Sequence, residues 1–382
     1  MPAVDFLEQP KVGAGSIGFA NLGKSLNRSD HYAALDGLRG FAAISVVLVH
    51  IGHWLNHPVI ATNSGLAVDL FFCLSGFVLP LAYEKRFQVD LSILKFVKVR
   101  LIRLMPLIVL GTLISASYVL ARSYVSSVSL RGSISYQELA LATVLGVTNI
   151  PFTTASAAIG GPQIFPLNGP QFSLFLEVVV NILWAGIRSL IQLWVYVFIC
   201  VVCLITLSLV GLRCDDAETY WIGFPRVGAS FFAGVLIFHI DKRFSSHIAP
   251  KYLFWPTSIV MVLLFYYPEE VPRSIQMVWV GLLSPLLIYS GSKTHLSGKV
   301  RSLALIGGEL SYPIYALHYP IFCWINGAYV TATKQQNIII EGPLVIAGVL
   351  AGSYFALKLF DIPFRNWAGH LTRAPSGRLA PR

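Results

Sequence analysis

The sequence predicts an all-α, polytopic membrane protein with about ten transmembrane helices. Of its 382 residues, 55% are hydrophobic and only 12% are charged, whereas about a quarter of the residues in a soluble domain carry charge. The apolar residues form runs of about 20, the length that an α-helix needs to cross a bilayer. Lys and Arg flank these runs, as in multi-pass membrane proteins. This composition excludes an ordinary soluble fold and a disordered chain.

Ten segments have the length and apolar character of a membrane-spanning helix. Polar turns separate them, for example Gly160-Gly161-Pro162 and Pro268-Glu269-Glu270. The ninth segment is long, and we expect Pro313 and Pro320 to break it. In chain order the predicted spans are 38–55, 66–83, 104–122, 170–187, 190–211, 227–240, 252–267, 275–290, 303–330 and 340–360.

The distribution of basic residues predicts the orientation, because Lys and Arg in short loops favour the cytoplasmic side. With the N-terminus inside, 22 of the 28 Lys and Arg residues fall in cytoplasmic segments and 6 fall outside. We therefore expect both termini in the cytoplasm. Residues 1–30 are predicted to form a flexible N-terminal tail, 31–367 one transmembrane domain with an external loop at about 123–166, and 368–382 a C-terminal tail.

Ionisable side chains inside predicted spans mark candidate functional sites, because a bilayer tolerates them only when they are paired or hydrated. Arg39 and His50 are eleven residues apart, which places them on one helix face about 16 Å apart. Asp36 lies one turn before Arg39 and is placed to orient it. The alternative is that Arg39 anchors the helix at the cytoplasmic surface and His50 only bonds a neighbouring helix.

Two further groups of polar residues share helix faces. Arg100 and Arg103 are three residues apart, so their guanidinium groups could hold phosphate oxygens together. A purely anchoring role at the cytoplasmic surface remains open for both. Ser173, Glu177 and Asn181 are spaced by four residues and form a polar stripe on an otherwise apolar helix.

A third group lies in the second span. Asp69 is a lone carboxylate in an apolar run, which makes it a candidate site residue. Ser75 and Gly76 follow on the same span, and small residues allow neighbouring helices to approach closely. We favour this structural role for Ser75 and Gly76 over a catalytic one.

The ninth span carries a fourth group. Ser311, Tyr315 and His318 are spaced at i, i+4 and i+7, so they share one helix face. The prolines of this span leave backbone carbonyl groups without helical partners, which is tolerated only where protein or water satisfies them. We therefore expect this face to border a cavity.

Seven short motifs follow one another along the predicted spans. They are Asp36-Gly37-Leu38-Arg39-Gly40 with His50 eleven residues after Arg39, Asp69-Leu70-Phe71-Phe72 through Ser75-Gly76-Phe77, Arg100-x-x-Arg103, Ser173-Leu174-x-x-Glu177, Phe232-Ala233-Gly234, Ser311-Tyr312-Pro313-x-Tyr315-x-x-His318 and Asp361-x-Pro363-x-Arg365. Together they resemble the acyltransferase 3 family of integral-membrane O-acyltransferases, over about residues 31 to 367. Phe172 departs from the family, which commonly has Trp there, and we see no C-terminal hydrolase-like domain of the kind that some members bear.

The resemblance implies a multi-pass enzyme of the cell membrane that transfers an acyl group, usually acetyl, from cytoplasmic acyl-CoA to a hydroxyl group. The implied acceptor is an exopolysaccharide, a lipopolysaccharide or another lipid-linked saccharide. His50 fits the role of general base, with Arg39 and Glu177 as further catalytic candidates. Arg39, Arg100 and Arg103 fit the binding of the CoA phosphates. Direct transfer and a transient acyl-His50 or acyl-Ser intermediate both remain open.

The main alternative is a secondary transporter, since ten helices with intramembrane Glu, His and Arg also describe one. Against it, the sequence shows no inverted repeat. We predict no tightly bound cofactor, since acyl-CoA is a donor substrate. Cys200 and Cys203 form a CxxC motif without a second pair or a nearby His, so we also predict no metal site. The net charge of +10 reflects membrane topology, so no nucleic-acid partner is expected.

Overall fold

The structure is a computed structural model, and it describes residues 32–57, 60–125, 134–190, 192–244 and 250–371. The predicted N-terminal tail, 1–30, and most of the predicted C-terminal tail lie outside the described residues. Within those residues the chain is helical, and its β-structure is limited to one isolated bridge between Gln163 and Asp216. The predicted all-α class is confirmed.

The helices are numbered in chain order. In the described part of the chain they are α1 (Ala33–Trp54), α2 (Ala67–Val89), α3 (Ile93–Tyr124), α4 (Tyr136–Val147), α5 (Gln171–Ile187), α6 (Leu193–Val210), α7 (Gly223–Phe244), α8 (Phe254–Phe265), α9 (Arg273–Val278), α10 (Ser284–Ser292), α11 (Gly298–Thr333), α12 (Ile338–Phe355) and α13 (Ile362–Leu371). Two π-helical stretches, Trp279–Leu283 and Ala356–Asp361, join α9 to α10 and α12 to α13.

Seven helical segments of the described chain are long and apolar enough to cross a membrane. They are Ala33–Trp54, Ser64–Val89, Ile93–Tyr124, Leu193–Val210, Tyr220–Arg243, Arg273–Ser292 and Ile338–Gly369. Two other predicted spans coincide with the shorter apolar helices Gln171–Ile187 and Lys251–Phe265, and the predicted span 303–330 lies within α11. Each predicted span therefore overlaps a helix, while the total of ten and the orientation stay predictions.

Helix α11 differs from its prediction. It continues through Pro313 and Pro320 from Gly298 to Thr333, so the expected break is wrong. Pro320 has no backbone N–H and leaves the Ala316 carbonyl oxygen without its helical partner. Nδ2 of Asn168, just before α5, donates to that oxygen at 3.1 Å. This hydrogen bond from Asn168 replaces the one that Pro320 cannot donate, so the Ala316 carbonyl oxygen is not left unsatisfied and the helix continues.

Small residues bring α2 and α7 into backbone contact. A Cβ atom on Gly76 in α2 would lie 1.9 Å from the Phe231 carbonyl oxygen in α7. In the reverse direction, a Cβ atom on Gly234 in α7 would lie 2.0 Å from the Cys73 carbonyl oxygen in α2. Gly76 therefore has the close-approach role that the sequence predicts.

Replacing Gly76 with alanine is expected to destabilise the protein by about 1–3 kcal/mol, because the added methyl group forces α2 and α7 apart. Gly186→Ala in α5 is the matched control, since no atom lies within 4 Å of the Cβ position there. Thermal unfolding in detergent should show a lower melting temperature for the Gly76 variant only. Equal melting temperatures would contradict the close-approach role of Gly76.

The predicted external loop at 123–166 contains helix α4. Leu139 and Ala142 of α4 pack against Val119 near the end of α3 and against Ile159 and Leu167 of the following segment. Arg122 Nη2 donates to the Ala158 carbonyl oxygen at 2.6 Å. The described part of this segment therefore packs against the C-terminal end of α3, whereas Arg100 lies near the N-terminal end of that helix.

Candidate active site

A cavity of about 200 Å³ lies between α1, α2, α3, α5 and α11. Three guanidinium groups line it, those of Arg39, Arg100 and Arg103, against a single lining carboxylate, that of Glu177. We call it the basic cavity. Its other polar lining side chains are Ser75, Tyr83, Ser173, Ser311, Tyr312 and Tyr315. Eight of the twelve predicted site residues therefore meet around one space.

Arg39 and Arg100 each have one side-chain nitrogen that donates a hydrogen bond and another that has no partner among the described residues. Arg39 Nη2 donates to Asp36 Oδ1 at 3.0 Å and to the Gly308 carbonyl oxygen of α11 at 2.7 Å. Arg100 Nη2 donates to Glu177 Oε1 at 2.9 Å. The Nε atoms of Arg39 and Arg100 are buried and have no partner among the described residues. Such unsatisfied donors are costly unless a ligand or water accepts from them.

Glu177 sits at the centre of the polar contacts in the cavity. Its Oε1 accepts from Arg100 and also from Ser75 Oγ at 3.2 Å. Because this oxygen already accepts from two side chains, the arrangement suits the holding of Arg100 better than base catalysis. Arg103 is exposed and makes no hydrogen bond to any described residue. The cavity therefore offers an excess of cationic donors, which favours an anionic ligand.

Tyr315 lies at the boundary of the basic cavity. Its hydroxyl oxygen lies 2.5 Å from Ser173 Oγ, and Ser173 Oγ also donates to the Pro170 carbonyl oxygen at 2.9 Å. The Tyr315 ring meets Phe71 edge-on at 5.5 Å between centroids, and its centroid is 5.9 Å from that of His318. Tyr315 thus touches both the cavity and a second group of residues beyond it.

That second group is the histidine pair, which consists of His50 in α1 and His318 in α11. His50 Nδ1 and His318 Nε2 lie 3.1 Å apart. His318 is fully buried and His50 partly exposed. Trp54 stacks on the His50 ring at 5.0 Å between centroids and 14° between planes. His50, the predicted base, is not among the residues lining the basic cavity.

Comparison with known proteins identifies the family of this chain. A family profile described as an acyltransferase domain, Acyl_transf_3, matches residues 32–358. The chain belongs to the acyltransferase 3 family. It is 36% identical to Protein 2 in the picA locus of Rhizobium radiobacter over 168 residues, which cover 41% of this chain and 82% of that protein.

The acyltransferase is also 24% identical to the O-acetyltransferase OatA of Staphylococcus aureus over 364 residues. That alignment covers 87% of this chain and 57% of OatA, so the chain spans little more than half the length of that relative. No solved structure matches the acyltransferase. Family membership and the seven apolar helices describe a multi-pass membrane acyltransferase.

Asp69 lies apart from both groups in the acyltransferase. It is fully buried and accepts three hydrogen bonds from Arg226 of α7: Nε donates to Oδ1 at 3.0 Å and to Oδ2 at 3.3 Å, and Nη2 donates to Oδ2 at 2.7 Å. Ser230 Oγ donates to Oδ1 at 3.1 Å. Arg226 also donates to the carbonyl oxygens of Leu212 and Gly65. This network joins α2, α7 and two loops, and does not line the basic cavity.

Four residues of these sites were not among the predicted ones. Tyr83 and Tyr312 line the basic cavity, Trp54 stacks on the histidine pair, and Arg226 pairs with Asp69. A signal existed for Trp54, which lies four residues after His50 and hence on the same helix face. Tyr312 lies within the motif that starts at Ser311, whereas nothing local marks Arg226 as the partner of Asp69.

Proposed function

We propose that this acyltransferase moves an acetyl group from acetyl-CoA to a hydroxyl group of a carbohydrate, such as an exopolysaccharide, a lipopolysaccharide or another lipid-linked saccharide. The observation that carries the proposal is the basic cavity, which Tyr315 connects to the histidine pair, because anion-binding donors and a candidate base then lie along the same two helices. The relative OatA is an O-acetyltransferase, which supports acetyl transfer to oxygen. The predicted orientation directs the basic cavity to the cytoplasm, where acetyl-CoA is available.

The donor fits the basic cavity through its phosphates. CoA carries several phosphate groups, and guanidinium groups bind phosphate oxygens with paired N–H donors. The Nε atoms of Arg39 and Arg100 are unpartnered within the described residues, and Arg103 adds a third cation at the cavity wall. Arg39 and His50 lie on one helix about 16 Å apart, a separation comparable to the extended pantetheine arm of CoA. The thioester would then lie beside Tyr315.

The reaction needs a base because an alcohol is a poor nucleophile at neutral pH. In the proposed step, His50 takes the proton of the acceptor hydroxyl while the hydroxyl oxygen bonds to the thioester carbonyl carbon. The carbon–sulfur bond then breaks, and the CoA thiolate takes the proton from His50. The products are an acetyl ester and CoA with a free thiol. Aligning both reactants in a site without bulk water lowers the barrier further.

The direct test is acetyl transfer by the purified protein in sealed liposomes. Acetyl-CoA is added with a lipid-linked saccharide fraction, and free thiol and ester-linked acetyl groups are measured together. Equal amounts of both products are expected. Radiolabel that crosses the membrane without thiol release would instead support the transporter alternative. Mass spectrometry of surface glycans from a deletion strain would show which saccharide loses acetyl groups.

Replacing Arg103 with alanine is expected to raise the KM for acetyl-CoA by about 10- to 100-fold, since a hydrogen bond to a charged group contributes about 1.5–3 kcal/mol. The maximal rate should change little, because the histidine pair is untouched. Arg213→Ala is the matched control, as it also removes one cation but at an exposed pair with Asp215. An unchanged KM in the Arg103 variant would contradict the phosphate-binding role.

A further inference from the structure

The hydrogen-bond partners of His318 indicate which ring nitrogen carries its proton. His318 Nδ1 lies 2.8 Å from the Tyr315 carbonyl oxygen and 3.2 Å from that of Ile314. A carbonyl oxygen only accepts hydrogen bonds, so Nδ1 must carry the hydrogen. His318 is fully buried, which favours the neutral imidazole. A neutral imidazole has one N–H group, and Nε2 of His318 is therefore a bare acceptor.

This assignment determines the proton on His50. The bare Nε2 of His318 lies 3.1 Å from His50 Nδ1, so Nδ1 of His50 is the donor in this contact. Nε2 of a neutral His50 is then unprotonated. Besides His318, the His50 ring hydrogen-bonds the Val46 carbonyl oxygen of its own helix, and the His50 side chain is partly exposed. Nε2 of His50 then carries the free lone pair that a general base requires.

We propose that His318 is a positioning residue that holds His50 in the Nδ1–H tautomer and stabilises it when it takes up a proton. This inference rests on the proposed function, in which His50 is the base. As His50 becomes positively charged, its hydrogen bond to His318 becomes charge-assisted and stronger. That gain arises only as the reaction proceeds, so it accelerates the chemical step rather than the binding of substrate.

Other groups around His50 replace this contact poorly. The Val46 carbonyl oxygen also hydrogen-bonds the His50 ring, but it belongs to the same helix as His50 and does not join His50 to α11. Trp54 stacks on His50, and its centroid lies 5.9 Å from that of His318 with 19° between planes. It fixes the two ring planes without accepting a hydrogen bond from Nδ1. The Nε2 atom of His318 is therefore the acceptor that a second helix supplies to His50.

The test compares two substitutions at this position in the full-length protein. His318→Leu removes the acceptor, and kcat for acetyl transfer is expected to fall about 10- to 100-fold. The KM for acetyl-CoA should not change, because the basic cavity is intact. His318→Gln supplies an amide oxygen in place of Nε2 and is expected to restore most of kcat. A wild-type kcat in the Leu variant, or equal loss in both folded variants, would overturn the proposal.

A spectroscopic readout is independent of activity. Nitrogen NMR of protein labelled at histidine distinguishes the two neutral tautomers, and the His50 signals are assigned by their absence in His50→Gln. The wild type and His318→Gln are expected to show the Nδ1–H tautomer, and His318→Leu a shift toward Nε2–H. An Nε2–H tautomer in the wild type would overturn the inference even if the Leu variant failed to fold. Full acetyl transfer by His50→Gln would instead refute the proposed base.

Discussion

Replacing His50 with alanine is expected to lower the rate of acetyl transfer by about 10²- to 10⁴-fold, the usual contribution of a positioned general base. The acceptor hydroxyl would lose its proton acceptor, while the guanidinium groups of the basic cavity would still bind the donor. The KM for acetyl-CoA is therefore expected to stay within a few-fold of the wild-type value. The measurement is release of free thiol together with formation of ester-linked acetyl groups by the purified protein.

His53→Ala is the matched control for this experiment. His53 lies on the same helix, three residues after His50, is exposed, and uses Nδ1 to contact the Val49 carbonyl oxygen at 2.8 Å. Its removal takes away an imidazole from the same region without touching the histidine pair, and the rate should not change. A His50→Ala variant that folds and transfers acetyl at the wild-type rate would refute the proposed base.

In the proposed reaction the basic cavity binds the donor and the histidine pair supplies the base, and both are held between α1 and α11. Arg39 of α1 bonds the Gly308 carbonyl oxygen of α11, and His50 of α1 bonds His318 of α11. Both contacts run in the same chain direction, so the two helices are parallel and hold the proposed donor-binding end and the proposed base at a constant separation. A rigid spacing of this kind favours a donor of one length, which fits a thioester at the end of a fixed arm.

Short-range patterns predicted much of this arrangement. The lengths of apolar runs located all ten predicted segments on helices, because one helical turn rises by a constant amount and a bilayer has a constant thickness. The spacing of Ser173 and Glu177 placed both on one face, and both line the basic cavity. The spacing of Arg39 and His50 also predicted that they share one helix face, and both side chains contact α11.

Long-range partners were beyond such patterns. The break expected at Pro320 does not occur, because Asn168 satisfies the Ala316 carbonyl oxygen from 148 residues away. Arg226 binds the buried Asp69 from 157 residues away, and no local pattern indicates this pairing. The local sequence indicates which polar groups need a hydrogen-bond or ion-pair partner. The identity of that partner depends on how the helices pack.

Removing Arg226 while keeping Asp69 is expected to destabilise the protein by about 3–5 kcal/mol, the usual cost of leaving a buried charge without its partner. Asp69 is fully buried, and the Arg226 side chain is only 12% exposed. In Arg226→Met, the carboxylate would keep only the Ser230 hydroxyl as a donor from this network. Chemical unfolding in detergent measures the change in free energy.

The double variant Asp69→Leu with Arg226→Met distinguishes the effect of an unpaired charge from the effect of altered packing at this site. It removes both charges, and it is expected to recover most of the lost stability, because apolar residues of similar volume often replace a buried ion pair without loss. Arg213→Met is the surface control: its pair with Asp215 is 80% and 55% exposed, and a cost of about 0–1 kcal/mol is expected. If Arg226→Met proved as mild as that control, or if the double variant were less stable than the single one, the unpaired buried charge would not be the cause.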